Sequence, residues 1–210
     1  MADFYLVRHG ESLANVDRRF DCTAPGAPLS ARGTLQAALV ADWFASRGIE
    51  PAILLSSPFL RTRQTARPLL RRLRCSLLLS DLLRETSVGV WDGRSSRDMR
   101  EDPRYLAWRD DPEIAPPGGE RLSDVAVRLR ILLDTLRRLA PDSSAALFTH
   151  QHGLRAALSL TGGLRDETGG LEPVPNCAIV HLRLDRSGLA CLGLDRSVYA
   201  LSRKGQAEAG

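Results

Sequence analysis

Two histidines, His9 and His150, each stand one residue beyond an apolar run of strand length. Arg8 stands beside the first, and Arg61 follows Ser56-Ser57 at the end of a third such run. An imidazole serves near neutral pH as nucleophile, base or hydrogen-bond donor. A guanidinium is a planar fork suited to anionic oxygens. Imidazoles and arginines gathered at strand ends are therefore equipped for chemistry on an anionic group. Taken alone, Arg8-His9-Gly10 is a short pattern, and a lone histidine is more often structural. Its weight comes from the elements around it.

Residues 4–7 are apolar and run into Arg8-His9-Gly10, which reads as a buried strand feeding a tight turn. Over 30–47, Leu35, Leu39 and Trp43 recur at helical spacing, and Ser30 is placed to cap the start. A strand over 53–56, a helix over about 60–73 and a strand over 77–79 follow. The stretch 81–119 is rich in charge, Pro and Trp and has no clean period. It reads as an excursion lying over a site, with one short helix near 97–109. From Leu122, the residues Val125, Leu129, Leu132, Leu136 and Leu139 trace one helix face that Pro141 stops. A strand over 145–149 leads to a helix over 153–160, closed by Gly162-Gly163. Residues 178–184 and 189–194 resemble a hairpin around Ser187-Gly188, in which His181 is a strand residue. The tail after Ser202 is small and polar and is expected to fray. Alternating strands and helices predict an α/β fold, a three-layer sandwich with a mainly parallel central sheet flanked by helices. In such folds a site lies beyond the carboxyl ends of the strands. His9, His150 and Ser56-Ser57 all fall there.

The chain has 210 residues, which fits one domain over 1–210 with 81–119 as its site-covering excursion. Such a domain buries enough surface to fold without disulfides or metal. Cys22, Cys75, Cys177 and Cys191 have no paired spacing, which argues against zinc and against a disulfide scaffold. The net charge of +4 rests almost wholly on arginine, since Lys204 is the only lysine. Those arginines are scattered among acids and no nucleic-acid motif accompanies them, so no nucleic-acid partner is expected. No apolar run approaches the length of a membrane helix, and the chain opens on a strand. The expected location is the cytoplasm, without a membrane partner, as monomer or homodimer.

Several blocks carry a family resemblance. The first is Leu6-Val7-Arg8-His9-Gly10-Glu11-Ser12 with Asn15, followed by Pro28-Leu29-Ser30, Gly33 and Gln36-Ala37. Next come Ser56-Ser57-Pro58 with Arg61-Thr62 and Gln64-Thr65-Ala66, then Leu83 and Glu85 with Gly89, Trp91 and Gly93. Pro117-Gly118-Gly119-Glu120 and Thr149-His150 with Arg155 complete the series. In these blocks and in their order, the sequence resembles the histidine phosphatase superfamily, also called phosphoglycerate mutase-like. The resemblance spans about three quarters of the chain. It implies hydrolysis of a small phosphorylated metabolite through a covalent phosphohistidine at His9. Arg8, Asn15, Arg61, His150 and Gln151 would bind the phosphate. Glu85 would protonate the leaving oxygen and then activate water, for which partial burial would keep it protonated near neutral pH. Gly10 would allow a sharp turn and close approach of phosphate to the backbone. No metal or organic cofactor is implied.

Departures from the family pattern are as informative. His150-Gln151-His152-Gly153 stands where the family usually has His-Gly-Gly, and counting back five residues from Arg155 selects His150. His152 would then cap the helix or line the pocket. Asp21-Cys22 replaces a common Gln-Gly, and Arg121 a common Ser. Two other functions fit the same motifs. A cofactor-dependent phosphoglycerate mutase uses the same phosphohistidine, but its kind tends to be longer and to carry Arg-His-Tyr-Gly after the acid. Here Thr86-Ser87-Val88-Gly89 and Trp91 follow Glu85, as in the phosphatase branch. A binding protein on an inactive phosphatase fold is disfavoured because every catalytic position is filled.

Overall fold

Strand β1 (Ala2–Arg8) keeps Phe4, Tyr5, Leu6 and Val7 all buried, because it lies inside a sheet covered on both faces. The computed structural model describes residues 1–207. The remaining strands are β2 (Ile53–Ser56), β3 (Leu77–Leu79), β4 (Ser144–Thr149), β5 (Ile179–Leu184) and β6 (Leu189–Asp195). They are ordered β3-β2-β4-β1-β5-β6. The first four in that order are parallel, while β5 and β6 run antiparallel at one edge.

Alternation along each inner strand divides the core in two. Phe4 and Leu6 of β1, with Leu147 of β4 and Leu55 of β2, meet α5 (Leu122–Leu139) and α6 (Gln151–Ser159). Tyr5, Val7, Phe148 and Leu54 point the other way, onto α2 (Ala31–Ser46), α3 (Leu60–Leu73) and α7 (Ser197–Ala207). This is the three-layer α/β arrangement that the sequence pattern predicts. Two short helices complete it, α1 (Leu13–Asp17), which the pattern does not announce, and α4 (Pro103–Asp110). The latter starts at the Asp102 cap with Pro103 in its first turn.

Four details differ from the sequence reading. Leu35 is 68% exposed. It precedes Phe44 by nine residues, two and a half turns, so it lies on the opposite side of α2 from that fully buried ring. Leu139 is 79% exposed at the end of α5, where the buried stripe stops at Leu136. Helix α6 starts at Gln151, not at residue 153. The tail continues as α7 to Ala207, held by buried Val198 and by Gln36 Nε2 donating to Ser202 Oγ at 3.0 Å. Residues 208–210 of that expected fray lie outside the described residues.

The excursion over 81–119 has its own small core of Val88, Trp91, Met99 and Trp108, packed on Phe20 and Tyr105. Gly89 docks against residues 117–119 so closely that a Cβ would sit 2.1 Å from the Pro117 carbonyl oxygen. Its φ of +55° also favours glycine.

Candidate active site

Sheet register brings the site together. Arg8 pairs with Thr149 and Ser56 with Phe148, so the residues just past β1, β4 and β2 emerge side by side. The His9 N–H donates to the Thr149 carbonyl at 3.0 Å, and the Ser57 N–H to that of Phe148 at 2.9 Å. The His9 and His150 rings meet edge to face with centroids 5.2 Å apart. Both are almost completely buried.

His9 is held in one tautomer. Its Nδ1 lies 2.7 Å from the Gly10 carbonyl oxygen, which can only accept, so Nδ1 carries the proton. Nε2 keeps its lone pair and accepts from Arg61 Nε–H at 3.2 Å. Burial holds His9 well below the usual imidazole range, and the charges of Arg61 and Arg8 with neighbouring His150 push the same way. The ring is therefore neutral, with a nucleophilic nitrogen. Arg61 is anchored through Nη1 to Asp21 Oδ2 and through Nη2 to the Asp21 carbonyl, both at 2.8 Å. Those contacts use three of its five N–H groups and leave two.

Gly10 has a different reason from the one expected. A Cβ there would lie 2.6 Å from the Gly33 carbonyl oxygen, and one on Gly33 would lie 1.9 Å from that of Glu11. The two glycines let the first turn of α2 press against the loop that carries His9. No positive φ is involved at Gly10.

The other expected phosphate ligands surround His9. Arg8 donates through Nη1 to the Val174 carbonyl at 2.6 Å. Burial lowers its pKa to about 10, which leaves it a cation. Asn15 Oδ1 accepts from the Ser12 N–H at 3.1 Å and from Asn176 Nδ2 at 3.2 Å. Its NH2 is thereby left over as a donor. His150 bonds Ser57 Oγ through Nε2 at 2.9 Å, while its Nδ1 has no protein partner. Burial, then the charge of Arg61, hold His150 well below the usual imidazole range. Gln151 and Arg155, on one face of α6 at i and i+4, line the same cavity.

Glu85 corrects an expectation. Burial alone would raise its pKa, as the sequence argument supposed. The His152 side chain, the nearby His150 and the Thr86 N–H outweigh burial and hold the carboxyl well below the usual range. Its two oxygens also accept the Gln151 and His152 backbone N–H groups, each at 3.2 Å, at the start of α6. An anion there is favoured by the helix dipole. Glu85 is ionised, not protonated, before anything binds.

These groups enclose a cavity of about 350 Å³. Arg8, His9, Asn15, Arg61, Glu85 and Gln151 line it, and His150 lies fully buried behind them. Two buried donors of the site, Arg8 Nε and Arg155 Nε, have no protein acceptor, and the buried ring nitrogens His150 Nδ1 and His152 Nε2 have no protein partner. Buried donors are normally satisfied, so such a group marks where ligand oxygens bind. The sequence reading singled out Asp21 without its contact to Arg61, and it missed Asn176, which holds Asn15. It also missed the aromatic wall of Phe20, Tyr105 and Trp108. Only contacts distant in sequence reveal them. Burial raises Cys22 and Cys177 to about 12, so neither is a thiolate. His181 stays on β5, bonded to Asp3 and stacked on Tyr5. Among the described residues no three His, Cys, Asp or Glu side chains are placed to hold a metal ion. Nor is any helix long and apolar enough to cross a membrane.

The family model described as the histidine phosphatase superfamily (branch 1) matches residues 4–196. A probable phosphoglycerate mutase GpmB of Proteus mirabilis is 33% identical over 192 residues, 89% of this chain and 87% of its own length. A solved mycobacterial glucosyl-3-phosphoglycerate phosphatase, in complex with VO3, is 29% identical with a TM-score of 0.78. That match covers 92% of this chain and 96% of the other. A putative alpha-ribazole-5'-P phosphatase from Escherichia coli K-12 is 24% identical, with a TM-score of 0.74 over 92% and 96% of the two chains. At that identity it speaks for the fold alone.

Proposed function

The chain belongs to the histidine phosphatase superfamily, and on that premise we propose that it hydrolyses phosphomonoesters through a covalent phosphohistidine at His9. One observation carries the proposal. His9 Nε2 keeps its lone pair, held by Arg61 Nε–H in the absence of substrate, at a cavity ringed by cations and by buried nitrogens without protein partners. Phosphoryl transfer needs chiefly an aligned nucleophile and fixed positive charge around the equatorial oxygens.

In the first step Nε2 attacks phosphorus, and an N–P bond forms as the bond to the leaving oxygen breaks. Arg8, Arg61, Asn15, Gln151 and His150 hold the phosphoryl oxygens. With the Ser57 hydroxyl donating to Nε2 of His150, its Nδ1–H is the donor to phosphate. The leaving oxygen takes a proton from Glu85. Because Glu85 is ionised before binding, that proton arrives with the substrate, whose phosphate loses its second proton only at about pH 6. In the second step water attacks phosphorus in line, Glu85 takes its proton, and the N–P bond breaks to release phosphate. We assign no metal or organic cofactor to either step.

The curated relatives named as probable phosphoglycerate mutases support a second reading, an isomerase using the same phosphohistidine. Hydrolysis is preferred because Thr86 and Val88 follow Glu85 in the pocket wall where mutases carry Arg-His-Tyr-Gly. Rapid quenching should trap an acid-labile, base-stable phosphoenzyme in the wild type and none in His9→Ala. On the same preparation, phosphate release from monoesters should exceed interconversion of 2- and 3-phosphoglycerate and survive a strong chelator. Full turnover by His9→Ala sinks the covalent route. Isomerisation above hydrolysis on every substrate puts the mutase in its place.

A further inference from the structure

We propose that His152 is a further catalytic residue that relays the proton of Glu85, making the acid and base of this site a histidine–carboxylate pair. The inference rests on the hydrolase reading above. His152 occupies a position where the family motif in its usual form has glycine, so nothing in the shared chemistry assigns it a task.

Its two ring nitrogens have different surroundings. Nδ1 lies 3.2 Å from Glu85 Oε1, the oxygen that also accepts the His152 backbone N–H. Nε2 is buried and has no protein partner, and the residue lines the pocket. The two side chains are 9% and 13% exposed, and both line the same pocket. On the outer side Trp108 of α4 stacks on the imidazole, with centroids 5.6 Å apart and planes at 29°. A positive charge passing through the ring would meet that aromatic face. Arg8, Arg61 and Arg155, neutral His150 and the protonated Cys22 thiol are the other titratable groups near the carboxylate.

The proton count closes in both half-reactions. A substrate bound as its monoanion gives its P–OH proton to Nε2, and the Nδ1 proton passes to Glu85 Oε1. His152 is then neutral with its proton on Nε2, and Glu85 is the acid. Glu85 delivers that proton to the leaving oxygen as the P–O bond breaks and the N–P bond to His9 forms. In hydrolysis Glu85 takes a proton from the attacking water and hands it to Nδ1. Nε2 releases its own proton to the departing phosphate, which restores the starting state.

Asparagine and alanine at this position separate relay from mere support. An Asn amide nitrogen stands about where Nδ1 does and can keep the hydrogen bond to Glu85, but it cannot pass a proton. In His152→Asn the ratio of kcat on glycerol phosphate to kcat on nitrophenyl phosphate should fall about 10–100-fold, within the range for assisted proton transfer. Added imidazole should restore part of that ratio in His152→Ala. Carbon-13 shifts of the Glu85 carboxyl should place its titration higher in His152→Ala than in the wild type, and near the wild type in His152→Asn. An unchanged ratio in His152→Asn overturns the relay, as does equal loss on both substrates in variants whose circular dichroism is native. A wild type that never forms phosphoenzyme at His9 fails earlier, at the hydrolase reading, and takes the relay with it.

Discussion

The floor of the pocket and its outer wall are held in opposite ways. His9, His150 and Ser57 leave three neighbouring parallel strands, and ladder hydrogen bonds of 3.0 and 2.9 Å fix their spacing. His9 and Ser57 continue the ladder one residue past their strands, and His150 starts α6 directly after β4, so each is tied to the sheet. The wall over 81–119 has no strand, only two single 3-10 turns and the short helix α4, and Val88, Trp91, Met99 and Trp108 hold it as a satellite cluster. On the hydrolase proposal, floor residues would face the atoms that every phosphomonoester shares, and wall residues whatever the phosphate is attached to. Glu85 sits where the two meet, following Leu83 in the main core and preceding Val88 in the satellite. A rigid frame for the common chemistry and a separately packed wall for the variable group is how one fold serves many substrates.

Glu85 offers the sharpest test of that division, and the largest effect. Glu85→Gln keeps one oxygen to accept from the first N–H groups of α6, where Glu85 uses two, but cannot exchange a proton. Alkyl phosphates need their departing oxygen protonated, while a nitrophenolate leaves readily without help. The phosphorylation rate should fall roughly 10²–10⁴-fold on an alkyl phosphate and much less on nitrophenyl phosphate. Single-turnover kinetics with both substrates measure it. Equal losses would make Glu85 a cap of α6 and nothing more.

The same division explains what the sequence could disclose. The unbroken apolar runs 4–7 and 145–148 are local, so the buried strands and the histidines at their ends could be read directly. Arg8, Arg61, Asn15 and Glu85 were legible as family positions, and the fold brings all of them to one cavity. The partners that set their state were not. Asp21 meets Arg61 across 40 residues and Asn176 meets Asn15 across 161, and no periodicity encodes such contacts. The protonation of Glu85 was misjudged for the same reason. Burial was foreseeable, but the α6 N–H groups and His152, 66 and 67 residues further on, were not. Leu35 went to the wrong face because small residues, Gly33, Ala37 and Ala41, share the buried side of α2. A pattern of large apolar residues alone does not see them.

The ionised state of Glu85 fixes the pH dependence, a somewhat smaller effect. The productive complex holds one proton shared between Glu85 and the substrate phosphate. With Glu85 held below the usual carboxyl range, free enzyme near neutrality lacks that proton, and the monoanionic substrate must supply it. For an alkyl phosphate, kcat/KM should be level below about pH 6 and fall up to tenfold per unit above it, about 10²-fold by pH 8. The acid limb belongs to protonation of His9, whose depressed pKa places it well below the ordinary imidazole value of about 6.5. A general acid with a raised pKa would instead keep kcat/KM level through neutrality. A profile of that form would show that the free-enzyme carboxylate is not the ionised one described here.

The smallest effect is expected at the wall, in Trp108→Ala. Trp108 is 9% exposed and touches His152, Phe20, Trp91 and Tyr105 through its rings. Deleting a well-packed indole commonly costs about 3–5 kcal/mol where the whole core feels the cavity. Here the loss should fall on the satellite cluster, because the sheet with α5 and α6 packs in a separate apolar cluster. Hydrogen exchange should therefore quicken over 81–119 while amides of β1 and β4 keep their protection. In kinetics KM should rise about tenfold, more than kcat falls, since a wall residue contributes alike to binding ground state and transition state. The rise should be larger for substrates with a bulky leaving group than for a small one, because only the former reaches the wall. If β1 and β4 lost protection together with 81–119, the wall and floor would be one cooperative unit, and the contrast between them would fail. A kcat loss exceeding the KM rise on every substrate would carry Trp108 over to the floor's side of the site, acting through His152 and Glu85.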